Sequence, residues 1–240
     1  MGKTLTILNF DGCYQNQDFY CQNQVKWIDF RDLSGVRGYC EETAAEEIRK
    51  RIKEEDIKVC YIGSGNYHYM TFFLLEKIKQ PFSLVLFDHH TDMKPSLFED
   101  LLSCGCWVKW VLEKNLFVKE VVLIGVADSF LNTIEEKYQD RVFILEESKF
   151  GKEEWQKEIQ SQIHYPVYFS IDKDVFRKEE VSTDWDQGSL RLDEMEKVYE
   201  LIKETQPILG IDICGECEEW TSAEEIEKNN RANRKIWDML

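Results

Sequence analysis

The sequence predicts an α/β fold, a mostly parallel sheet of about eight strands with helices on both faces. Two observations predict it. Apolar runs of strand length alternate with longer, charged, amphipathic stretches along the chain, and no Pro-, Gly- or Ser-rich linker divides them. With 240 residues, 43% of them hydrophobic, the chain can bury one large core, so residues 1–240 are expected to form a single domain.

Taken in order, Leu5–Asn9 and Val25–Asp29 are short apolar runs read as strands. Glu41–Glu55 follows as a charged helix, then the strand Ile57–Ile62 and a helix at Tyr69–Ile78. Ser83–Phe87 (SLVLF) has the unbroken apolar character of a strand buried on both faces. Leu97–Glu113 is read as a helix, Glu120–Gly125 as a strand, Ser129–Tyr138 as a helix and Val142–Leu145 as a strand. The helix Lys152–Gln162 leads to the strand Val167–Ile171. In Arg191–Glu204, Leu192, Met195, Val198, Tyr199 and Ile202 share one face at helical spacing. The strand Ile208–Ile213 and the helix Ala223–Asp238 complete the pattern.

Charge narrows the function. Thirty Lys and Arg stand against 46 Asp and Glu, a net charge of −16. Such a chain repels phosphate backbones and anionic lipid, so neither nucleic acid nor membrane is an expected partner. No apolar run reaches the length of a membrane span. The start MGKTLT matches a myristoylation pattern but runs directly into a strand, which is the preferred reading. Eight cysteines in a chain of this size, with no signal-peptide pattern ahead of them, are expected to be reduced thiols in a cytoplasmic protein. The pairs Cys104/Cys106 and Cys214/Cys217 have zinc-compatible spacing, but nothing in the sequence brings them together.

In parallel sheets, ligands sit beyond the carboxyl ends of the strands. Three of these ends carry the same chemistry. After Phe87 the chain reads DHHTD. If it stays extended, Asp88, His90 and Asp92 face one side and His89 the other, giving a set suited to Mn²⁺, Fe²⁺ or Zn²⁺. A solvent-facing polar loop is the alternative. After Val167–Ile171 come Asp172 and Asp174, a pair that alone could simply cap a turn. After Ile62 comes GSGNYH, a tight turn leading to His68, which in isolation reads as a structural histidine. Together these ends supply four aspartates and two histidines. Four close carboxylates cannot all stay ionised without compensating charge; two divalent cations would provide it, and retention of several protons is the alternative.

The order GSGNYH, DHHTD, SIDKD resembles the ureohydrolase (arginase/agmatinase/formiminoglutamase) superfamily over about residues 57 to 220, and most closely its divergent arginase-like members. The resemblance implies a three-layer, doubly wound α/β sandwich around an eight-stranded sheet. It implies two divalent ions, by family habit Mn²⁺, with Zn²⁺ or Fe²⁺ as alternatives. His68, Asp88, Asp92 and Asp172 would hold one ion and Asp88, His90, Asp172 and Asp174 the other, with Asp88 and Asp172 bridging. Asp88 and His90 are thereby also assigned to catalysis. The implied reaction is attack of a metal-bound hydroxide on a non-peptide C–N bond of a small cationic substrate, guanidino, amidino or acylated amine.

Departures from the family pattern bear on the substrate. The family's shuttle histidine has no counterpart in LLSCGCWVKW, and His164 is distant in sequence. The glutamate that grips the cationic substrate in the family corresponds best to Glu216, one residue out of step. Asp184, Trp185 and Asp186 in STDWDQG are candidate specificity residues, by aromatic and carboxylate contact with a cation, or else an ordinary turn. Two other readings stand beside the hydrolase: a single-zinc, deacetylase-like enzyme of the same fold, and a catalytically silent metal-binding or regulatory protein. The sequence leaves a homo-oligomer open.

Overall fold

A computed structural model describes residues 4–96, 100–152, 155–220 and 222–240, the side chains of residues 132 and 133 excepted. The expected strands form one eight-stranded, fully parallel sheet. They are β1 (Thr4–Asn9), β2 (Gln24–Asp29), β4 (Val59–Ser64), β5 (Phe82–Phe87), β7 (Val118–Val126), β8 (Val142–Glu146), β9 (Val167–Asp172) and β10 (Ile208–Glu216), in the spatial order β2-β1-β4-β10-β9-β5-β7-β8. A separate antiparallel ribbon joins β3 (Tyr39–Cys40) to β6 (Leu102–Ser103).

Alternation along the central strands builds two cores. Cys60, Ile62, Leu84, Leu86, Val121 and Leu123 face one layer, where α1 (Glu42–Ile52), α2 (Met70–Leu75) and α3 (Trp107–Lys114) pack. Val59, Tyr61, Val85, Phe87, Val122 and Ile124 face the other, beneath α4 (Trp155–Gln160), α5 (Leu192–Lys203) and α6 (Ala223–Met239). The first half of the chain thus covers one face and the second half the other, giving the three-layer sandwich. Among the described residues no helix is long and apolar enough to cross a membrane.

Two expected helices are different. Residues 97–99 of the stretch Leu97–Glu113 lie outside the described residues. Beyond them, Leu102 and Ser103 pair with Cys40 and Tyr39, and only Trp107–Lys114 is helical. Ribbon pairing and Gly105 hold the intervening chain out of the helix and bring the Cys104 N–H onto the carbonyl of Gly38 at 3.0 Å. Ser129–Tyr138 forms two 3₁₀ turns, Asp128–Thr133 and Glu136–Tyr138, because i to i+3 bonds such as Phe130 N–H to the Ala127 carbonyl close it locally.

The end of β10 is irregular. Its register shifts on both sides of Cys214, and Gly215 takes a φ of 89°. A Cβ at this position would lie 2.4 Å from Asp172 Oδ1 and 2.6 Å from the Lys173 amide nitrogen. Gly215→Ala is therefore expected to cost about 1–3 kcal/mol in backbone strain alone, with the clash added. A denaturant midpoint equal to that of the wild type would contradict this.

Candidate metal centre

Four adjacent strands, β4, β10, β9 and β5, end at the same place, and the expected ligands follow three of them. Past β4, a 3₁₀ turn at Gly65–Tyr67, capped by Ser64 Oγ accepting from the Asn66 N–H, delivers His68. Past β5, the chain leaves the extended conformation at once, and Asp92 has a left-handed φ of 51°. Asp92 therefore joins Asp88 and His90 by a turn rather than by strand alternation. Past β9, the Asp172 carboxylate accepts from the Asp174 N–H at 3.0 Å and starts a further 3₁₀ turn.

All six expected metal ligands converge. His68 Nδ1 lies 3.4 Å from Asp88 Oδ2, 3.2 Å from Asp92 Oδ2 and 3.3 Å from Asp172 Oδ2. His90 Nδ1 lies 2.9 Å from Asp174 Oδ2 and 3.4 Å from Asp88 Oδ1. Donors held at about 2.0–2.2 Å from one ion are separated by roughly 3.0–3.5 Å from each other, so these spacings suit shared coordination. Two donor sets result, His68/Asp88/Asp92 and Asp88/His90/Asp174, joined by the two oxygens of Asp88. Asp172 groups with His68 through Oδ2, while its Oδ1 takes the Asp174 amide. His89 belongs to neither set, and its ring turns toward Glu147, 3.6 Å away.

The partners of these groups orient them. Ser170 Oγ donates to Asp212 Oδ1 at 2.7 Å and so accepts from His68 Nε2–H at 2.9 Å, which leaves Nδ1 as the free donor atom. Trp107 Nε1–H donates to Asp92 Oδ2 at 2.6 Å. The His89 N–H donates to Asp174 Oδ1 at 3.0 Å and the His90 N–H to Asp88 Oδ1 at 2.6 Å. Sequence reasoning missed Ser170 and Trp107, although Ser170 stands in the SIDKD motif two residues before Asp172. Ser170→Ala is expected to weaken metal binding about 10–100-fold by freeing the ring of His68. An unchanged affinity in a metal titration would contradict that role.

The electrostatics of the protein groups alone call for positive charge. Burial, then the charge of Asp88, raises the Asp92 carboxyl to about 6. Burial followed by Asp172 and Asp88 pushes Asp174 well above the usual range. Burial opposes charge on His90, but Asp174 and Asp88 outweigh it and raise its pKa to about 11. Burial would likewise raise Asp88, yet His68 and His90 hold it below the ordinary carboxylate range. Buried carboxylates held close together retain protons unless cations replace them. Hard carboxylate oxygens and borderline imidazoles also match divalent ions, so the donor set fits the group expected from the sequence.

The candidate substrate residues divide. A cavity of about 90 Å³ is lined by the six ligands together with Gly65, Lys94, Cys104, Gly105 and Trp185. Trp185 is therefore at the site, its ring 5.9 Å from that of His90. Asp184 and Asp186 do not line the cavity: Asp184 Oδ2 accepts from the Glu218 N–H at 2.8 Å, and both carboxylates are exposed. Glu216 does not line the cavity either. It is fully buried against Lys173, Asn229, Asn233 and Gln17. The Gly215 kink breaks strand alternation and turns this side chain toward α6 instead of the cavity. His164 is exposed beside Glu120 near the start of β7, at the opposite end of the sheet. All eight cysteines are free, and among the described residues Cys104, Cys106, Cys214 and Cys217 do not form a shared donor set.

Known proteins share this fold. The chain is 32% identical over 226 residues to an uncharacterized protein of Thermotoga maritima, covering 93% of this chain and 85% of that one. Its fold is similar to that of proclavaminate amidino hydrolase from Streptomyces clavuligerus, with a TM-score of 0.73 at 13% identity over 100% of this chain and 90% of the other. A Trypanosoma cruzi formiminoglutamase solved with Mn²⁺ gives a TM-score of 0.71 at 11% identity, covering 99% and 94%. Bacillus caldovelox arginase gives 0.66 at 12% identity, covering 98% and 97%. The description of the Arginase family matches residues 9–216, which span both donor sets, and by that match the chain belongs to the arginase family.

Proposed function

We propose that this protein is a metal-dependent hydrolase that cleaves a non-peptide C–N bond in a small molecule. The observation that carries the reading is the pair of donor sets sharing Asp88 at the floor of a narrow cavity. In this reading His68, Asp88, Asp92 and Asp172 hold one divalent ion and Asp88, His90 and Asp174 the other, Mn²⁺ being the family precedent. Such a pair of ions, when bound, supplies Lewis acidity and a water-derived nucleophile at neutral pH.

The protein's own groups bind and orient. Asp88 and Asp174 are fixed by the His90 and His89 N–H groups, and His68 by Ser170. The indole of Trp185 offers a face against which a planar guanidinium or amidine can stack. Lys94 brings a cation to the same cavity, its ammonium also lying 5.3 Å from the Phe130 ring centroid. A substrate that presents its amidino or acylated-amine end to the carboxylate cluster and an anionic group to Lys94 satisfies both walls. The proposal places this activity in one domain of a cytoplasmic protein.

One observation favours a second reading, metal binding without turnover. Among the described residues, every imidazole and carboxylate lining the cavity belongs to the six proposed ligands, which leaves no further imidazole to shuttle protons. Metal-loaded protein incubated with guanidino, amidino and acylated-amine compounds, each with and without a carboxylate, separates the two. The hydrolase reading expects release of urea, ammonia or the corresponding acid, faster from the carboxylate-bearing member of a pair. Stoichiometric metal with no turnover across the set would favour the silent reading.

A further inference from the structure

Cys214 is buried on β10, where the register places it directly beside Asp172 on β9. Its Sγ lies 3.2 Å from Asp172 Oδ2, the same oxygen that lies 3.3 Å from His68 Nδ1. His68, Asp172 and Cys214 thus form a third donor set, with all of their donor atoms within 4.8 Å of one another. The thiol is not one of the ligands implied by the three strand-end motifs. The kink at Gly215 is what permits this approach: the missing Cβ leaves the Asp172 carboxylate room to face the sulfur. Among the described residues, Cys60 and Cys13, also buried, belong to no such set.

We propose that Cys214 is a thiolate ligand to the ion held by His68 and Asp172, and that it adapts this position to a borderline-soft ion such as zinc in place of manganese. The proposal rests on the metal-dependent reading above. Ligands at about 2.3 Å for sulfur and about 2.1 Å for oxygen, set roughly 90–109° apart around one ion, stand about 3.1–3.6 Å from each other, a range that contains the 3.2 Å sulfur–oxygen separation. On binding, the S–H proton that now points at Asp172 leaves to solvent and the sulfur lone pair is donated to the ion. Thiolate favours zinc and other softer ions, whereas carboxylate and water suit manganese. The two metal positions then differ in kind: a sulfur-bearing one at His68/Asp172, and an all-nitrogen-and-oxygen one at Asp88/His90/Asp174.

Cobalt(II) reports the difference. The full-length protein is loaded with Co²⁺, freed of excess ion, and examined for cobalt content and absorption. The expected result is an intense near-ultraviolet thiolate-to-cobalt charge-transfer band. It should persist in Cys104→Ser, the control for the thiol that lines the cavity, and vanish in Cys214→Ser with cobalt still bound. Bound cobalt without the band in the wild type overturns the proposal, as does a band that survives Cys214→Ser. Absence of bound cobalt defeats the metal-dependent reading itself, a separate outcome. Should Cys214→Ser not fold, cadmium NMR of the Cys104→Ser protein decides. A resonance in the downfield range of sulfur-ligated cadmium supports Cys214, and resonances confined to the oxygen and nitrogen range overturn it.

Discussion

Asp88→Ala is expected to abolish measurable turnover while leaving the sheet folded. Asp88 contributes one oxygen toward His68 and the other toward His90, so its loss opens both donor sets at once. A metal pair contributes several kcal/mol of transition-state stabilisation, and about 4 kcal/mol corresponds to roughly three orders of magnitude in rate. Metal content should fall in parallel. Its loss relieves repulsion on Asp92 and Asp174 but also removes a carboxylate that His68 and His90 hold below the ordinary range, so the apo variant is expected to stay folded with at most a modest loss of stability. Full activity in Asp88→Ala would remove the two sets from the mechanism. A collapse of the apo fold would assign Asp88 a structural role instead.

The second large effect is on stability. Lys173 and Glu216 form an ion pair with no solvent exposure on either side. Asn233 accepts from Lys173 Nζ at 3.2 Å and donates to Glu216 at 2.7 Å, while Asn229 and Gln17 donate to the other carboxylate oxygen at 2.8 and 3.1 Å. This network ties the turn between Asp172 and Asp174 to β10, α6 and the N-terminal loop. Lys173→Met leaves Glu216 buried without a counter-charge, at an expected cost of about 3–5 kcal/mol. For a chain of this size that corresponds to a fall of about 10 °C in Tm. Adding Glu216→Gln should recover most of the loss, because removing both charges of a buried pair is often nearly neutral. A single-variant cost below about 1 kcal/mol, read from denaturant unfolding, would contradict a tightly paired interior.

These two residues also show where the sequence was legible and where it was not. The sheet could be read because strands buried on both faces, such as SLVLF and VYFSI, appear as unbroken apolar runs. The donors could be read because the same carboxylate and imidazole pattern recurs at three strand ends, although each motif alone could be a polar loop, a turn cap or a structural histidine. Glu216 was misplaced because a single positive φ at Gly215 reverses which way the following side chain points, and spacing alone does not register that. Asp92 reached the site through a left-handed turn instead of strand parity. Cys214 was noticed only for its spacing to Cys217, since its real neighbour, Asp172, is adjacent through strand order and distant in sequence. Trp185 reached the cavity while Asp184 and Asp186 did not, and a turn-forming stretch carries no periodicity that would separate them.

In the proposed reading the ends of β4, β5 and β9 assemble a site for two divalent ions. Elemental analysis of protein purified without chelators, quantified per chain, tests it most directly. Two divalent ions per wild-type chain are expected, and fewer in Asp88→Ala. Protein that remains metal-free after exposure to manganese, zinc and iron(II), or that binds as much metal without Asp88 as with it, would contradict it.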